Sequence, residues 1–169
     1  AQIGWLLREL IDAGAADNLI VFFMSDNGAS PYARTDTIML RQGILPVDRN
    51  SHYGIGTGWA NVSNTPFRLY KRNQHEGGVR SPFIVWSAQG LAPAAGSIHP
   101  QKSHIIDLMP TLAELAGLEP DEINAGKPTL ALPGYSLTPV LQDGESFERG
   151  PLFFQLYDHR GLRDGNWKL

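Results

Sequence analysis

One stretch, residues 19–28 with the sequence LIVFFMSDNG, constrains the fold of this chain more than any other. Its first six residues are apolar and rich in β-branched and aromatic types. This composition is typical of a short strand that is buried on both faces of a parallel sheet. Asp26 and Asn27 follow the carboxyl end of that strand. Because ligands of open α/β sheets bind at the carboxyl ends of the strands, we expect functional chemistry at this point of the chain.

The same residues have a second interpretation. Asn27-Gly28 is a common tight-turn dipeptide, and an Asp before it fits a turn that only reverses the chain direction. Taken alone, the tetrapeptide does not separate a binding site from a simple turn. A binding site needs a second group of functional residues elsewhere, and we expect that group near Lys71.

Length and composition narrow the class of protein. The 169 residues are enough for one domain with a sizeable core. A net charge of −3 without a run of like charges gives no indication of a nucleic-acid partner. No stretch is long and apolar enough to span a bilayer, and the absence of cysteine excludes disulfides and a cysteine nucleophile. Both termini fall inside predicted elements, so we expect the sequence to be a piece of a larger protein.

Around the first strand, the hydrophobic pattern predicts an α/β core. The predicted elements of this core are a helix that starts at Ile3 and ends at Gly14, a strand at Leu19–Met24, a strand at Ser81–Trp86 and a helix at Asp107–Gly117. A strand at 151–157, with a hairpin partner at 162–169 across residues 158–161, is predicted to follow. The core therefore passes into a small antiparallel α+β element, and we divide the chain into domains at 1–148 and 149–169.

Between Ala29 and Thr65 the periodic pattern disappears, which predicts a long loop without regular secondary structure. Aromatic, arginine and histidine side chains are scattered through it, and that mixture is not typical of disorder. The segment is then either one wall of a substrate pocket or a surface insertion, and the sequence leaves both interpretations open.

The chemistry of three residues suggests one site. Asp26 and Asn27 offer carboxylate and amide oxygens, the ligands that hard cations such as Ca²⁺ and Mg²⁺ take. Lys71 offers an ammonium group, and Arg68 and Arg80 are further cations in the same region. A divalent cation and a lysine around a cluster of anionic oxygens suit hydrolysis of a sulfate or phosphate ester. Fixed positive charges stabilise the charge that builds up during that reaction.

Three other polar residues have both a structural and a functional interpretation. Asp107 suits the N-cap of the helix that follows it better than a catalytic role. His104 is either a substrate contact or, as we favour, a structural histidine. For Glu76 we favour a structural role, orienting the glycine turn or pairing with Arg80, over acid–base catalysis.

Four segments, in chain order, resemble the C-terminal half of the formylglycine-dependent sulfatases, of the arylsulfatase type. They are SDNG, LYKRNQHEGGVRSPFIVW, DLMPTLAELAG and GLRDGNWKL. The stretch WANVSNTPFRLYK is also similar to bacterial-type arylsulfatases. The resemblance implies a partial sulfatase core of the alkaline-phosphatase-like superfamily. It further implies hydrolysis of a small-molecule or glycan sulfate ester, in the periplasm or outside the cell.

The same resemblance implies roles for individual residues. Asp26 and Asn27 would be Ca²⁺ ligands, and Lys71, five residues before Glu-Gly-Gly, would contact the sulfate as a substrate-binding and catalytic residue. The family makes its formylglycine from Cys or Ser in a C/S-x-P-x-R motif, and this sequence contains no such motif. We expect the nucleophile and the remaining ligands upstream, so that the chain is inactive without the remainder of the sulfatase. A phosphodiesterase or phosphonate hydrolase of the same superfamily, or a non-catalytic binding fragment, are the alternatives.

Overall fold

The computed structural model describes residues 2–33, 36–119, 123–124 and 126–169, and it contains both helices and strands. The helices are α1 (Gln2–Asp12), α2 (Asp36–Arg41), α3 (Gly56–Ser63), α4 (Glu76–Val79) and α5 (Leu108–Leu115). The strands are β1 (Ile20–Met24), β2 (Phe83–Ser87), β3 (Ile123–Asn124), β4 (Lys127–Pro128), β5 (Leu152–Leu156), β6 (His159–Asp164) and β7 (Trp167–Lys168). Short 3-10 helices cover Ala16–Asn18 and Ile105–Asp107, and a π helix covers Pro139–Asp143. The predicted α/β class, with an antiparallel element at its end, is confirmed.

The chain divides into two compact units. The first unit comprises the residues up to Val21 together with Trp86–Arg149, and the second comprises Phe22–Val85 together with Gly150–Leu169. Leu137, Val140 and Leu141 are buried apolar side chains of the first unit, and Ala60 and Leu152 are buried in the second. The predicted boundary between residues 148 and 149 stays a prediction. Among the helices described, none combines the length and the apolar character that crossing a bilayer requires.

β1 pairs with β2 in a two-stranded sheet. The rings of Phe22 and Phe83, one on each strand, stack with their centroids 5.9 Å apart and their planes 11° from parallel. The predicted burial of β1 on both faces is wrong for the described residues, since Phe23 is 46% exposed and the rest of the strand is only half-buried. A strand is buried on both faces only where layers cover both, and the described residues leave this sheet partly open.

The apolar face of α1 is open in the same way. Its position and its end before Gly14 agree with the prediction, but Ile3, Leu6 and Ile11 are each about half exposed. The periodic pattern therefore predicts the helix correctly without predicting what covers it.

The segment from residue 29 to 65 contains two helices, α2 and α3. Side chains also close its turns: the Tyr53 hydroxyl donates to the carbonyl oxygen of Ile44 at 2.6 Å, and the Gly54 N–H donates to Asp36 Oδ1 at 2.9 Å. The prediction of a loop without regular structure is therefore wrong for the described residues. Helices of six and eight residues carry too little periodicity to stand out from a sequence of mixed polarity.

β5, β6 and β7 form an antiparallel sheet in which Arg163 lies opposite both Leu152 and Lys168. The predicted hairpin exists, but its turn is Tyr157-Asp158, and residues 159–161 belong to β6. A second turn at Gly165-Asn166 then adds β7. The polar run from 158 to 161 was the misleading feature, because an exposed strand of a small sheet tolerates such residues.

Candidate functional site

Asp26 and Asn27 lie directly after β1, in the second unit. Asp26 is exposed, and Asn27 is half-buried with its side-chain N–H donating to the carbonyl oxygen of Gly28 at 3.0 Å. The Ser25 hydroxyl closes the turn by donating to the carbonyl oxygen of Asn27 at 2.8 Å. Within the described residues, no hydrogen bond or ion pair engages the Asp26 carboxylate or the Asn27 side-chain oxygen. These oxygens are therefore available to a ligand.

Gly28 is required here for a close backbone approach. It is buried, its φ is not positive, and a Cβ added to it would overlap the carbonyl oxygen of Gly77. Its N–H donates to the carbonyl oxygen of Gly78 at 3.0 Å. A Cβ at Gly77 would in turn overlap the carbonyl oxygen of Leu69. The glycines after Asn27 and after Glu76 thus let three backbone segments lie against one another, which a simple reversing turn would not need.

Lys71 lies on one of these segments. Its backbone N–H donates to the carbonyl oxygen of Ala29 at 3.1 Å, so the segments that carry Asp26 and Lys71 are in direct backbone contact. Lys71 is half-buried, and its ammonium group makes no hydrogen bond or ion pair with the described residues. The two predicted halves of the site are therefore brought together along the backbone, while the roles of Asp26, Asn27 and Lys71 stay predictions.

Asn64 also links the segment after Asp26 to the segment before Lys71, through its side chain. Its side-chain oxygen accepts from the Ala29 N–H at 3.1 Å, and its side-chain N–H donates to the carbonyl oxygen of Leu69 at 2.9 Å. Sequence reasoning did not single out this residue. The available signal is its place just after α3 and before Thr-Pro, since Asn there is typical of side-chain hydrogen bonding to a turn.

Glu76 begins α4 and accepts two short charged hydrogen bonds. Its Oε1 lies 2.6 Å from Arg163 Nη2 and 2.6 Å from Lys168 Nζ, whereas the predicted partner, Arg80, is 3.9 Å away. Burial raises the pKa of Glu76, but the hydrogen bonds and charges of Lys168 and Arg163 outweigh it, so the net shift of the pKa is downward. Glu76 is thus a charged anchor that ties the C-terminal sheet to α4, which agrees with the structural role we favoured.

Asp107 is fully buried in the first unit. Its carboxylate accepts from Arg149 Nη1 at 2.6 Å and Nη2 at 3.2 Å, and from the backbone N–H groups of His104 at 2.7 Å and Tyr135 at 2.9 Å. Asp107 occupies the N-cap position of α5, but its side chain makes no capping bond to that helix. The predicted cap is wrong for α5, because the carboxylate instead binds Arg149, the Tyr135 N–H and the N–H of His104, the last in the capping box of the preceding 3-10 helix.

His104 caps the 3-10 helix that precedes α5. Its Nδ1 accepts from the N–H of Ile106 at 3.3 Å. Burial lowers the pKa of His104, the charge of Asp107 raises it and that of Arg149 lowers it again, so the net shift is downward. A neutral imidazole suits its role as an acceptor, and the geometry agrees with the structural interpretation.

A cleft of about 230 Å³ lies within the second unit. Its lining residues are Ser63, Asn64, Thr65, Phe67, Arg80, Ser81 and Pro82. The Arg80 guanidinium lies 4.7 Å from the centre of the Phe67 ring, and the buried Ser81 Oγ has no hydrogen-bond partner among the described residues. Asn64 lines this cleft and also accepts a hydrogen bond from the Ala29 N–H. The cleft therefore lies next to the backbone contact between Ala29 and Lys71.

The donor set at the turn fits part of a calcium shell. In the parts of the chain that the structure describes, no three His, Cys, Asp or Glu residues are grouped so that they could hold a metal ion. Ca²⁺ takes six to eight oxygen ligands, and Asp26 and Asn27 would supply one carboxylate and one amide oxygen. The chemistry of these ligands fits Ca²⁺, and their number requires further ligands from elsewhere.

Comparison with known proteins gives one consistent family. The Sulfatase family model matches residues 1–118. The curated relatives include an arylsulfatase of Klebsiella aerogenes, 34% identical over 149 residues, which are 83% of this chain and 32% of the relative. They also include the N-acetylgalactosamine-6-sulfatase of Homo sapiens, 33% identical over 153 residues, which are 90% of this chain and 23% of the relative. The chain therefore spans about a third or less of the length of these relatives.

One solved structure has the same fold over nearly the whole chain. It is the crystal structure of Ps i-CgsB in complex with k-i-k-neocarrahexaose, with a TM-score of 0.65 and 23% sequence identity. The match covers 98% of this chain and 30% of that chain. At this identity the similarity is one of fold.

Proposed function

Because the chain belongs to the sulfatase family, we propose that the complete protein hydrolyses an organic sulfate ester and that this chain supplies part of the active site. The family membership predicted from the four sequence segments is confirmed by the match over residues 1–118. Relatives named arylsulfatase and N-acetylgalactosamine-6-sulfatase support an aryl or a glycan sulfate ester as the substrate.

The backbone hydrogen bond from Lys71 to Ala29 carries the proposal, because it brings the segments of Asp26 and Lys71 into contact. Asp26 and Asn27 would hold a Ca²⁺ ion, which when bound polarises an oxygen of the ester. The Lys71 ammonium would bind another anionic oxygen of the same group. Its positive charge stabilises the negative charge that builds up there as the ester bond breaks.

The chain by itself is not expected to turn over substrate. It contains no C/S-x-P-x-R motif, so none of its serines is assigned the role of nucleophile. Expressed alone, residues 1–169 should leave 4-nitrophenyl sulfate intact.

The proposal is tested in the complete protein with Lys71→Met, which removes the charge and keeps most of the side-chain volume. We expect kcat/KM for 4-nitrophenyl sulfate to fall by about 10²–10³, the usual effect of removing one preorganised charge contact. Lys127→Met is the matched control, because Lys127 is exposed and lies in the first unit.

Two results would contradict the proposal. Activity of the Lys71→Met protein within twofold of wild type would remove Lys71 from the site. A wild-type protein that hydrolyses 4-nitrophenyl phosphate or bis(4-nitrophenyl) phosphate faster than the sulfate would favour the phosphodiesterase alternative.

A further inference from the structure

The guanidinium of Arg72, the residue after Lys71, lies between two tyrosine rings. Its Cζ is 4.9 Å from the centre of the Tyr32 ring and 5.3 Å from the centre of the Tyr157 ring, and its Nη2 donates to the Tyr157 hydroxyl at 3.3 Å. All three residues belong to the second unit, which also carries the candidate site. Contact with both rings restrains a side chain that is otherwise among the most flexible.

The backbone at two of these residues is also unusual. Arg72 has a φ of 75° and Tyr157 a φ of 54°, in the left-handed region that residues with a Cβ seldom adopt. Such conformations persist only where the surrounding structure enforces them, and they concentrate at functional sites. At Tyr157 the tight turn between β5 and β6 accounts for this conformation, so only the conformation of Arg72 indicates a locally enforced geometry.

Arg72 leaves most of its hydrogen-bonding capacity unused. A guanidinium has five N–H donors. Among the described residues, Arg72 uses one of them in a hydrogen bond, to the Tyr157 hydroxyl. No described carboxylate pairs with it, and both Arg72 and Tyr157 are exposed. An oriented arginine with free donors suits bidentate binding of a sulfate or carboxylate.

We propose that Arg72, held between Tyr32 and Tyr157, is a second anion subsite beside that of Lys71, and that it binds another acidic group of a polyanionic glycan sulfate. The inference rests on the proposed function, in which Lys71 contacts the ester that is hydrolysed. Lys71 and Arg72 are consecutive, so their Cα atoms are only about 3.8 Å apart. In this arrangement Lys71 binds the ester that is hydrolysed and Arg72 binds a second acidic group of the same substrate, so the pair favours substrates that carry at least two.

The test compares a disulfated and a monosulfated disaccharide of the same sugars, with the complete protein and with Arg72→Gln and Arg72→Lys. We expect Arg72→Gln to raise the ratio of KM for the disulfated over the monosulfated substrate about tenfold, which corresponds to one lost charge-assisted contact. Arg72→Lys should lie between wild type and Arg72→Gln, because it keeps the charge and loses the fork of donors. Arg160→Gln is the control. It removes an exposed charge from β6, close to Tyr157 along the chain, and should leave the KM ratio unchanged.

An unchanged KM ratio in Arg72→Gln, or equal losses on both substrates, would overturn the subsite and leave a purely structural stack. A wild-type protein that cleaves neither disaccharide nor 4-nitrophenyl sulfate would instead overturn the proposed function. Calorimetry with the disulfated disaccharide then decides the subsite separately. A Kd at least tenfold weaker for Arg72→Gln than for wild type supports it, and equal Kd values overturn it.

Discussion

Two aspartates, one in each compact unit, show opposite uses of the same side chain. Asp107 in the first unit is fully buried, and its carboxylate accepts hydrogen bonds from a guanidinium and two backbone N–H groups. Asp26 in the second unit is exposed and has no partner among the described residues. A carboxylate whose acceptor positions are all used holds the fold, whereas one that is presented without a partner is available to a ligand.

The surroundings of Asp107 and Asp26 differ in the same way as the two carboxylates do, in how far their polar groups are hydrogen-bonded. Beside Asp107, polar groups bond to one another: the Thr111 hydroxyl donates to the carbonyl oxygen of Asp107 at 2.6 Å and accepts from the Leu137 N–H at 2.8 Å. Around Asp26 the backbone is tightly held through Gly28 and Ala29, but the side chains of Asp26 and Lys71 are left open. The tightly held backbone fixes where these two side chains start, and their charged ends are available to a ligand.

The largest effect is expected from Asp107→Ala. The substitution would leave the Arg149 side chain, which is 9% exposed, as an uncompensated buried charge. Breaking a buried ion pair in this way costs about 3–5 kcal/mol of the free energy of unfolding, which denaturant unfolding of the complete protein measures. Asp143→Ala, an exposed aspartate of the same unit, is the control and should change stability little. If Asp107→Ala lowered the free energy of unfolding by less than about 1 kcal/mol, the Asp107 carboxylate would not be holding the fold.

The sequence predicts where Asp107 and Asp26 lie relative to helices and strands, but it does not predict the partners of Asp107. Local patterns placed Asp107 before a helix and Asp26 after a strand, and both placements are correct. Arg149 and Tyr135 lie 42 and 28 residues away from Asp107 along the chain, and no local spacing indicates such contacts. The two shorter ion pairs of Glu76, with Arg163 and Lys168, were missed for the same reason, whereas the predicted pairing with Arg80, four residues along the chain, is present at 3.9 Å.

A smaller effect on stability, and one that depends on calcium, is expected from Asp26→Ala. Without Ca²⁺ the variant should be as stable as wild type, because the carboxylate has no partner to lose among the described residues. With Ca²⁺ at 100 times its Kd, wild type should gain about 2.7 kcal/mol through binding to the native state. Asp26→Ala should lose most of that gain. Thermal unfolding of the complete protein during a Ca²⁺ titration measures both.

Asp158→Ala, at an exposed turn of the same unit, is the control for this experiment and should keep the full response to Ca²⁺. Equal stabilisation of the Asp26→Ala protein and wild type would remove Asp26 from the metal site. If neither protein responded to Ca²⁺, the non-catalytic alternative would be favoured.

Burial is the part of the fold that the sequence predicted least well. The apolar run of β1 and the apolar face of α1 predict the elements themselves, but several of these side chains remain half exposed in the described structure. A hydrophobic pattern indicates the environment that an element needs, and it contains no information about which segment provides it. The close approach of Gly28 to Gly77 could not be predicted from the sequence either, because a glycine at each position is equally compatible with an ordinary turn.

The smallest effect is expected from Glu76→Gln, and it should appear mainly in the pH dependence of stability. The pKa of Glu76 in the folded protein is lowered from the ordinary glutamate value, because the hydrogen bonds from Lys168 and Arg163 outweigh the effect of burial. The charged carboxylate therefore stabilises the fold above its unfolded pKa, and this contribution is lost as the pH falls through the folded pKa. Glu76→Gln should be less stable than wild type at pH 7, by on the order of 1 kcal/mol. The two proteins should converge as the pH falls through the lowered pKa of Glu76 in the folded protein.

Asp164→Asn serves as the matched control for this carboxylate, since Asp164 is exposed on β6 of the same sheet. Denaturant unfolding of the complete protein at several pH values between 3 and 7 compares the three proteins. A stability difference between Glu76→Gln and wild type that stays constant over this range would mean that the charge of Glu76 does not hold the C-terminal sheet to α4. The backbone around Gly77 and Gly78 would then have to be held by its own hydrogen bonds to Arg68, Gly28 and His75.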